Sequence, residues 1–250
     1  YNDGLAALGE EYDLSADPTD AAYGLTLVAL DAFSYEYWET VYPALPECAE
    51  AQALAFVIGS MYDEYLTIGL LVNVSAWADA AESPEDAQAF ADQAASRMEI
   101  MDSTMEVIAD MSMTDLAAAL VGDATESCTE EQITGLADSM SGAFDELGAG
   151  LDELGDDPLL TFALTEGAAF AFENEAYAEV AVCAENLWLA EIFRVTLNQT
   201  NIVAGLYANA AAEEAAGNTD VAEALVTSAD QRAADLETAW EEIGAMAEME

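Results

Sequence analysis

The chain aligns with itself when it is slid along its own length: residues 25–112 fall on residues 160–247 without a gap and are identical at 19 of 88 positions. The matched pairs of rare residues are Cys48 with Cys183 and Arg97 with Arg232, in a chain with only three cysteines and three arginines. Self-similarity at a fixed period is the signature of repeated supersecondary units. The sequence therefore predicts a tandem duplication.

Each half of the chain is predicted to be a three-helix unit. Apolar residues recur at spacings of three and four with few alternating runs, which indicates an all-α fold. Prolines, glycines and capping residues divide the halves into helices A (18–42 and 158–181), B (46–81 and 183–216) and C (84–111 and 219–248). Repeat 1 spans about 18–112, repeat 2 about 158–249, and a bridging helical segment about 113–155 joins them. Because three helices hide only part of their apolar faces, we expect the halves to pack about a pseudo-two-fold axis as one internally duplicated helical bundle.

Two capping signals define helix starts inside this pattern. Ser83 precedes Pro84, a pair typical of an N-cap followed by a first-turn proline. Thr129 and Gln132 have the spacing of a capping box and predict the start of a helix that runs to about Leu154.

The charge of the chain predicts its solvent. The formal net charge is −48, from 51 Asp and Glu against three Arg, and carboxylates are spread from Asp3 to Glu250. Because 54% of the residues are hydrophobic, the chain can still bury a core and fold. The composition resembles that of proteins from extreme halophiles. In about 1 M salt the Debye length is about 3 Å, which screens the self-repulsion of so many negative charges. We predict a halophile-adapted protein with a non-specific cloud of cations.

Composition also excludes several functions. Nucleic-acid binding depends on Lys and Arg that neutralise phosphates, so we expect none. The absence of His and Lys removes the usual general base, the Ser-His nucleophile systems and Schiff-base chemistry. The acidic stretch 145–157 lacks an EF-hand pattern and is expected to be a solvated helix face. We predict no enzyme activity, no catalytic residues, no cofactor and no specific metal site.

The cysteines Cys48, Cys128 and Cys183 allow three interpretations. All three could be free, buried, small apolar residues. Alternatively, an oxidising compartment would favour a disulfide, either of Cys48 with Cys183 or of Cys128 with Cys183, with a slight preference for the second. In that pairing Cys48 is left over.

The matched arginines Arg97 and Arg232 have two interpretations. They could form a ligand-binding clamp for an anion or carboxylate at the seam between the repeats. The stronger interpretation is that each pairs with a carboxylate of the chain. The candidate partners are Asp102 and Glu237 on the following turn and Asp31 and Glu166 on helix A. Arg194 has no counterpart in the other half and is expected to form a local ion pair.

Aromatic residues and methionines at helical spacing are predicted to lie in the core. Helix A carries Phe33, Tyr35, Tyr37, Trp38 and Tyr42, with Tyr35 and Trp38 expected on a different face from the other three. The methionines are Met98, Met101, Met105, Met111 and Met113. If the halves are equivalent, Leu54, Leu71, Ile108 and Met111 should be as inaccessible as Leu189, Leu206, Ile243 and Met246.

The sequence also predicts where the protein is located and what role it has. The apolar stretches 53–61 and 66–77 are each too short to span about 30 Å of hydrocarbon, so no transmembrane segment is expected. The chain starts at Tyr1 without an initiator Met, which suggests a processed product.

We predict an extracytoplasmic structural or protein-interaction component of a surface, envelope or particle assembly, with a protein partner or a homo-oligomer. The alternative is a periplasmic or cell-surface module that binds a small ligand at the seam between the repeats.

Overall fold

The computed structural model describes residues 17–45, 48–112, 114–116, 118, 127–154 and 157–247. Every element in these ranges is helical, and the ranges contain no β-strand. The prediction of an all-α protein is confirmed.

The helices begin and end close to the breaks expected from sequence. Their bounds are α1 (Ala21–Glu36), α2 (Ala49–Ala80), α3 (Pro84–Ala109), α4 (Glu130–Leu154), α5 (Pro158–Ala171), α6 (Tyr177–Val180), α7 (Ala184–Ala216) and α8 (Thr219–Ala247). Helix A of the first half starts at Ala21 rather than at residue 18, because the side chain of Asp20 caps it by accepting a hydrogen bond from the backbone N–H of Ala22.

Side-chain caps fix two other helix starts. The capping box is present: the hydroxyl of Thr129 accepts from the N–H of Gln132 at 3.3 Å, and the side-chain oxygen of Gln132 accepts from the N–H of Thr129 at 2.9 Å. Asp157 caps α5 by accepting from the N–H groups of Leu159 and Leu160, with Pro158 as the first helical residue.

Both A helices end in a wide turn. A π-helical turn, Tyr37–Val41, follows α1 and continues into a 3-10 turn, Tyr42–Ala44. A second π-helical turn, Phe172–Ala176, connects α5 to α6. The prediction of uninterrupted helices over 18–42 and 158–181 is wrong at these turns. In each, the backbone N–H donates to the carbonyl five residues earlier, instead of four.

The chain divides into two compact units. The first consists of residues 1–117 and 205–232, and the second of residues 118–204 and 233–250. In the first unit, α1, α2 and α3 pack with the end of α7 and the start of α8 around leucines that have no exposed surface. These core leucines are Leu27, Leu66, Leu70, Leu71, Leu206 and Leu225.

An aromatic cluster extends the core of the first unit. Buried Tyr37 and Tyr62 form its centre, and their ring centroids are 5.6 Å apart. Trp38 joins the cluster although helical spacing placed it on another face. Its ring lies 5.7 Å from that of Tyr37 and 5.1 Å from that of Tyr42, and its indole nitrogen donates to buried Asp63, which orients the ring toward α2.

The second unit has its own core. Leu147 of α4 packs with Ala169 of α5 and with Phe193 and Leu197 of α7. The ring of Phe172, in the second π-helical turn, stands edge-on to Phe193 with the centroids 4.5 Å apart. The bridging segment thus contributes a helix that covers the apolar faces of α5 and α7.

Burial departs from the expected core at several positions. Leu71 and Leu206 are inaccessible as predicted, but Leu54 is 37% exposed and Met111 36% exposed. Met98 is also exposed, and Met101 and Met105 are only partly buried, so the methionine stripe does not lie in the core of the described structure. Met113 and the side chains of Ile243 and Met246 lie outside the described residues.

One helix of the described residues, Glu50–Ala80, is long and apolar enough to cross a membrane. About three fifths of its most apolar window, 61%, is buried inside the structure. Core helices of folded proteins can have the same length and composition.

Candidate functional site

The first buried ion pair joins Arg232 to Asp31. The guanidinium Nε lies 2.5 Å from Oδ1 of Asp31, and both side chains are 4% exposed. A second guanidinium nitrogen donates to the backbone carbonyl of Asp31 at 3.3 Å, and the guanidinium carbon lies 5.8 Å from the ring centre of Tyr35. Asp31 was one of the partners considered from sequence. The pair connects α8 to α1 within the first unit.

A second buried carboxylate, Asp63, lies in the same region. It accepts hydrogen bonds from the hydroxyl of Ser34 at 2.5 Å and from the indole Nε1 of Trp38 at 2.9 Å. Burial raises the pKa of Asp63, while the positive charge of Arg232 and the two hydrogen bonds act in the opposite direction. The cluster of Asp31, Asp63 and Arg232 thus contains two acids for one cation.

Arg97 pairs with a carboxylate that sequence analysis did not name. One guanidinium nitrogen donates to both oxygens of Glu64, at 2.8 and 3.0 Å, and Arg97 is buried. The sequence contained a signal for this pair. Glu64 lies before the turn at Glu82 and Arg97 lies after it, at similar distances along the chain. Two antiparallel helices joined by this turn bring such residues to the same level.

Arg194 forms the local ion pair expected for it. Its guanidinium nitrogens lie 2.7 Å from Glu191 and 3.0 Å from Glu173. Glu191 also accepts from the hydroxyl of Tyr177 at 3.1 Å. These hydrogen bonds, together with the charges of the two acids, raise the pKa of Arg194 despite its burial. In the described structure each of the three arginines is therefore engaged with carboxylates.

A separate polar cluster surrounds Glu213 in the first unit. Glu213 is fully buried, and its Oε2 accepts a hydrogen bond from the side chain of Asn218 at 2.7 Å. Its Oε1 has no hydrogen-bond partner in the described structure, nor do the buried amide atoms of Asn73 or the indole nitrogen of Trp77. Burial raises the pKa of Glu213, and the neighbouring N–H groups of Asn218, Asn73 and Trp77 partly oppose that shift.

The disulfide connects Cys128 to Cys183, with the Cα atoms 5.2 Å apart. It holds the start of α4 beside the start of α7, where the side chain of Asn186 donates to the carbonyl of Gln132 at 3.2 Å. Cys48 is exposed and carries a free thiol. This is the second of the two pairings that the sequence allowed.

Comparisons with known proteins do not supply a function. No family model, no curated protein and no solved structure matches the chain. Within the described ranges, no group of three or more Cys, Asp or Glu side chains has a geometry that could hold a metal ion.

Proposed function

We propose that the chain is a non-enzymatic structural or protein-interaction component that assembles in concentrated salt outside the cytoplasm. The observation that carries this proposal is the apolar surface on the second half of α3. Its exposed members are Ile100 and Val107, which lie on one face of α3, and Met111 just after the end of the helix. Exposed apolar residues grouped along one element are typical of interaction surfaces, and flexible methionines adapt to a partner.

A second copy of the chain is the partner we propose. Acids of the same helix, Glu99, Asp102 and Glu106, lie beside these apolar residues and would repel another chain of charge −48 in dilute buffer. In molar salt the Debye length falls to about 3 Å, so apolar contact can dominate. A two-fold contact would then bury the same helix from both copies.

The alternative proposal, a module that binds a small ligand between Arg97 and Arg232, has less support. Both guanidinium groups are buried and bonded to carboxylates of the chain itself. A carboxylate ligand would have to displace Glu64 or Asp31, which would leave a buried acid without its cation.

The disulfide supports the extracytoplasmic part of the proposal. Disulfides persist in oxidising environments and are rare in the cytosol of most organisms. The bond between Cys128 and Cys183 is therefore more consistent with export than with residence in the cytoplasm.

We also propose that the two halves arose by duplication of a three-helix unit. The structural elements support it, because the alignment of residues 25–112 with 160–247 also matches their bounds. It places the π-helical turn at 37–41 on the one at 172–176, the start of α2 at 49 on that of α7 at 184, and the start of α3 at 84 on that of α8 at 219. Since π-helical geometry is rare, its occurrence at matched positions is the most specific of these correspondences.

Sedimentation velocity in molar KCl tests the assembly proposal. We expect the wild type to sediment as an oligomer and the variant Val107→Glu to sediment as a monomer. Val182→Glu is the matched control, because Val182 is 54% exposed against 55% for Val107 but lies outside α3. A wild type that stays monomeric at every concentration, or equal behaviour of the two variants, would reject the α3 surface as the assembly site.

A further inference from the structure

Glu213 is a buried acid without a compensating cation. The chain has no Lys or His, and its three arginines bond to other acids: Arg97 to Glu64, Arg194 to Glu173 and Glu191, and Arg232 to Asp31. No arginine is among the groups that act on the carboxyl group of Glu213. Because an isolated charge is costly to bury, such a carboxyl group is either neutral or paired with a cation from solvent.

The two oxygens of the Glu213 carboxyl group differ in their surroundings. Oε2 accepts from Asn218, whereas Oε1 is directed at Gly24 of α1, where an added Cβ would come within 2.7 Å of it. The N–H groups of Asn73 and Trp77 of α2 are near enough to lower the pKa of the same carboxyl group, against the effect of burial, although Oε1 has no hydrogen-bond partner. The unpartnered atoms in this cluster therefore include acceptors as well as donors.

We propose that the carboxyl group of Glu213 keeps its proton in the folded protein to a higher pH than in the unfolded chain, and that this proton closes a pH-sensitive latch between α1, α2 and α7. A protonated Oε1 becomes a donor, and the buried side-chain oxygen of Asn73 is an acceptor without a partner.

The charge of a nearby acid also raises the pKa of Glu213. Asp20, at the start of α1, is the ionisable residue whose charge acts on Glu213, and it disfavours a second negative charge. The other residues that act on the carboxyl group are Asn73 and Trp77 of α2 and Asn218 before α8, and all three are uncharged. Loss of the proton would place an uncompensated charge where these helices meet, which weakens their packing.

The direction of the pH effect follows from linkage. In the unfolded chain the carboxyl group has a pKa of about 4.3. Since the folded protein keeps its proton to higher pH, the stabilisation is complete below that value and is lost as the pH rises through the folded-state pKa. Within this window the unfolding constant of the wild type should rise up to tenfold per pH unit relative to a variant that cannot ionise at this position.

The test compares wild type, Glu213→Gln and Glu214→Gln by urea unfolding in molar KCl, from about pH 5 to about pH 8. Glu213→Gln imitates the neutral acid, and Glu214→Gln removes the same charge from the exposed neighbouring residue. We expect the wild type and Glu214→Gln to lose stability with rising pH relative to Glu213→Gln. If Glu213→Gln does not fold, Glu213→Met supplies a second variant that cannot ionise.

Two results would overturn the latch. A constant ratio of unfolding constants between wild type and Glu213→Gln would mean that Glu213 keeps the same charge in both states. The second result is a wild type that is more stable in K⁺ than in tetramethylammonium at equal ionic strength, with no such difference in Glu213→Gln. It would assign an alkali ion to the site. Difference infrared spectroscopy gives an independent readout: the carbonyl band of a protonated acid should be lost in Glu213→Gln and kept in Glu214→Gln.

Discussion

The guanidinium Nε of Arg232 lies 2.5 Å from Oδ1 of Asp31, although 201 residues separate the two along the chain. This ion pair joins the first helix of the described structure to the last. Because both side chains are buried, Asp31 depends on Arg232 for compensation of its charge.

Breaking this pair should destabilise the protein strongly. We expect Arg232→Met to lower the free energy of unfolding by about 3–5 kcal/mol, since it leaves the buried acids Asp31 and Asp63 without a cation. Asp31→Leu should cost less, because Arg232 keeps Asp63 as a nearby acid, and the double variant should lose less than the sum of the two single losses. Urea unfolding in molar KCl measures all four proteins, and a double variant whose loss equals the sum of the single losses would show that the two residues do not interact.

Removing the disulfide should also lower stability. A bond that closes a span of 55 residues restricts the unfolded chain by about 4 kcal/mol in the loop-entropy estimate. We therefore expect Cys128→Ser with Cys183→Ser to lower the thermal midpoint, while Cys48→Ser, the matched control at an exposed thiol, leaves it unchanged. Non-reducing mass spectrometry should detect one internal disulfide. Three free thiols in native material would contradict the pairing.

Alanine should have opposite effects at two helical glycines. At Gly24 a Cβ would lie 2.6 Å from Cγ1 of Val221 and 2.7 Å from Oε1 of Glu213, so Gly24→Ala should separate α1 from its neighbours and destabilise. At Gly167 nothing lies within 4 Å, so Gly167→Ala should stabilise α5 by up to about 1 kcal/mol. Thermal unfolding compares the two, and a neutral or stabilising Gly24→Ala would contradict the close approach.

Stability should depend on salt concentration. A charge of −48 repels itself in dilute buffer, and screening weakens that repulsion as the Debye length shortens. Far-UV helicity and the thermal midpoint should therefore fall as KCl is lowered from molar to tens of millimolar. Sucrose is the uncharged control and should not replace the salt. A thermal midpoint that stays constant across this range would reject adaptation to high salt.

Local signals account for the parts of the fold that the sequence predicted well. Helix starts such as those at Pro84 and Glu130 depend on caps and prolines within a few residues, so the sequence contains all the information they need. The pairing of Arg232 with Asp31 was among the predicted options because the repeat placed an acid on each A helix. The choice among those options required the packing of the helices.

The residues that sequence analysis missed depend on which helix faces which. Asp63 and Glu213 are two of 51 acids, and nothing local distinguishes a buried acid from a solvated one. Asp63 gave one usable signal, since it interrupts an otherwise apolar segment of α2. Conversely, Leu54 and Met111 have suitable periodicity but remain exposed, because periodicity shows which residues share a face and not whether another element covers it.

The π-helical turns change the direction, around the helix axis, in which the side chains that follow them point. On a continuous α-helix each residue advances the side-chain direction by about 100°, so residues five apart would point well away from one another. The wide turn instead places Tyr42 over Tyr37 and Tyr177 over Phe172, as the hydrogen bonds between these backbones require. A deletion of one residue within either turn would leave the two aromatic residues four apart, the spacing at which a regular α-helix keeps side chains on one face. Each turn therefore acts as a built-in insertion, and the length of the chain there is as important as the identity of its residues.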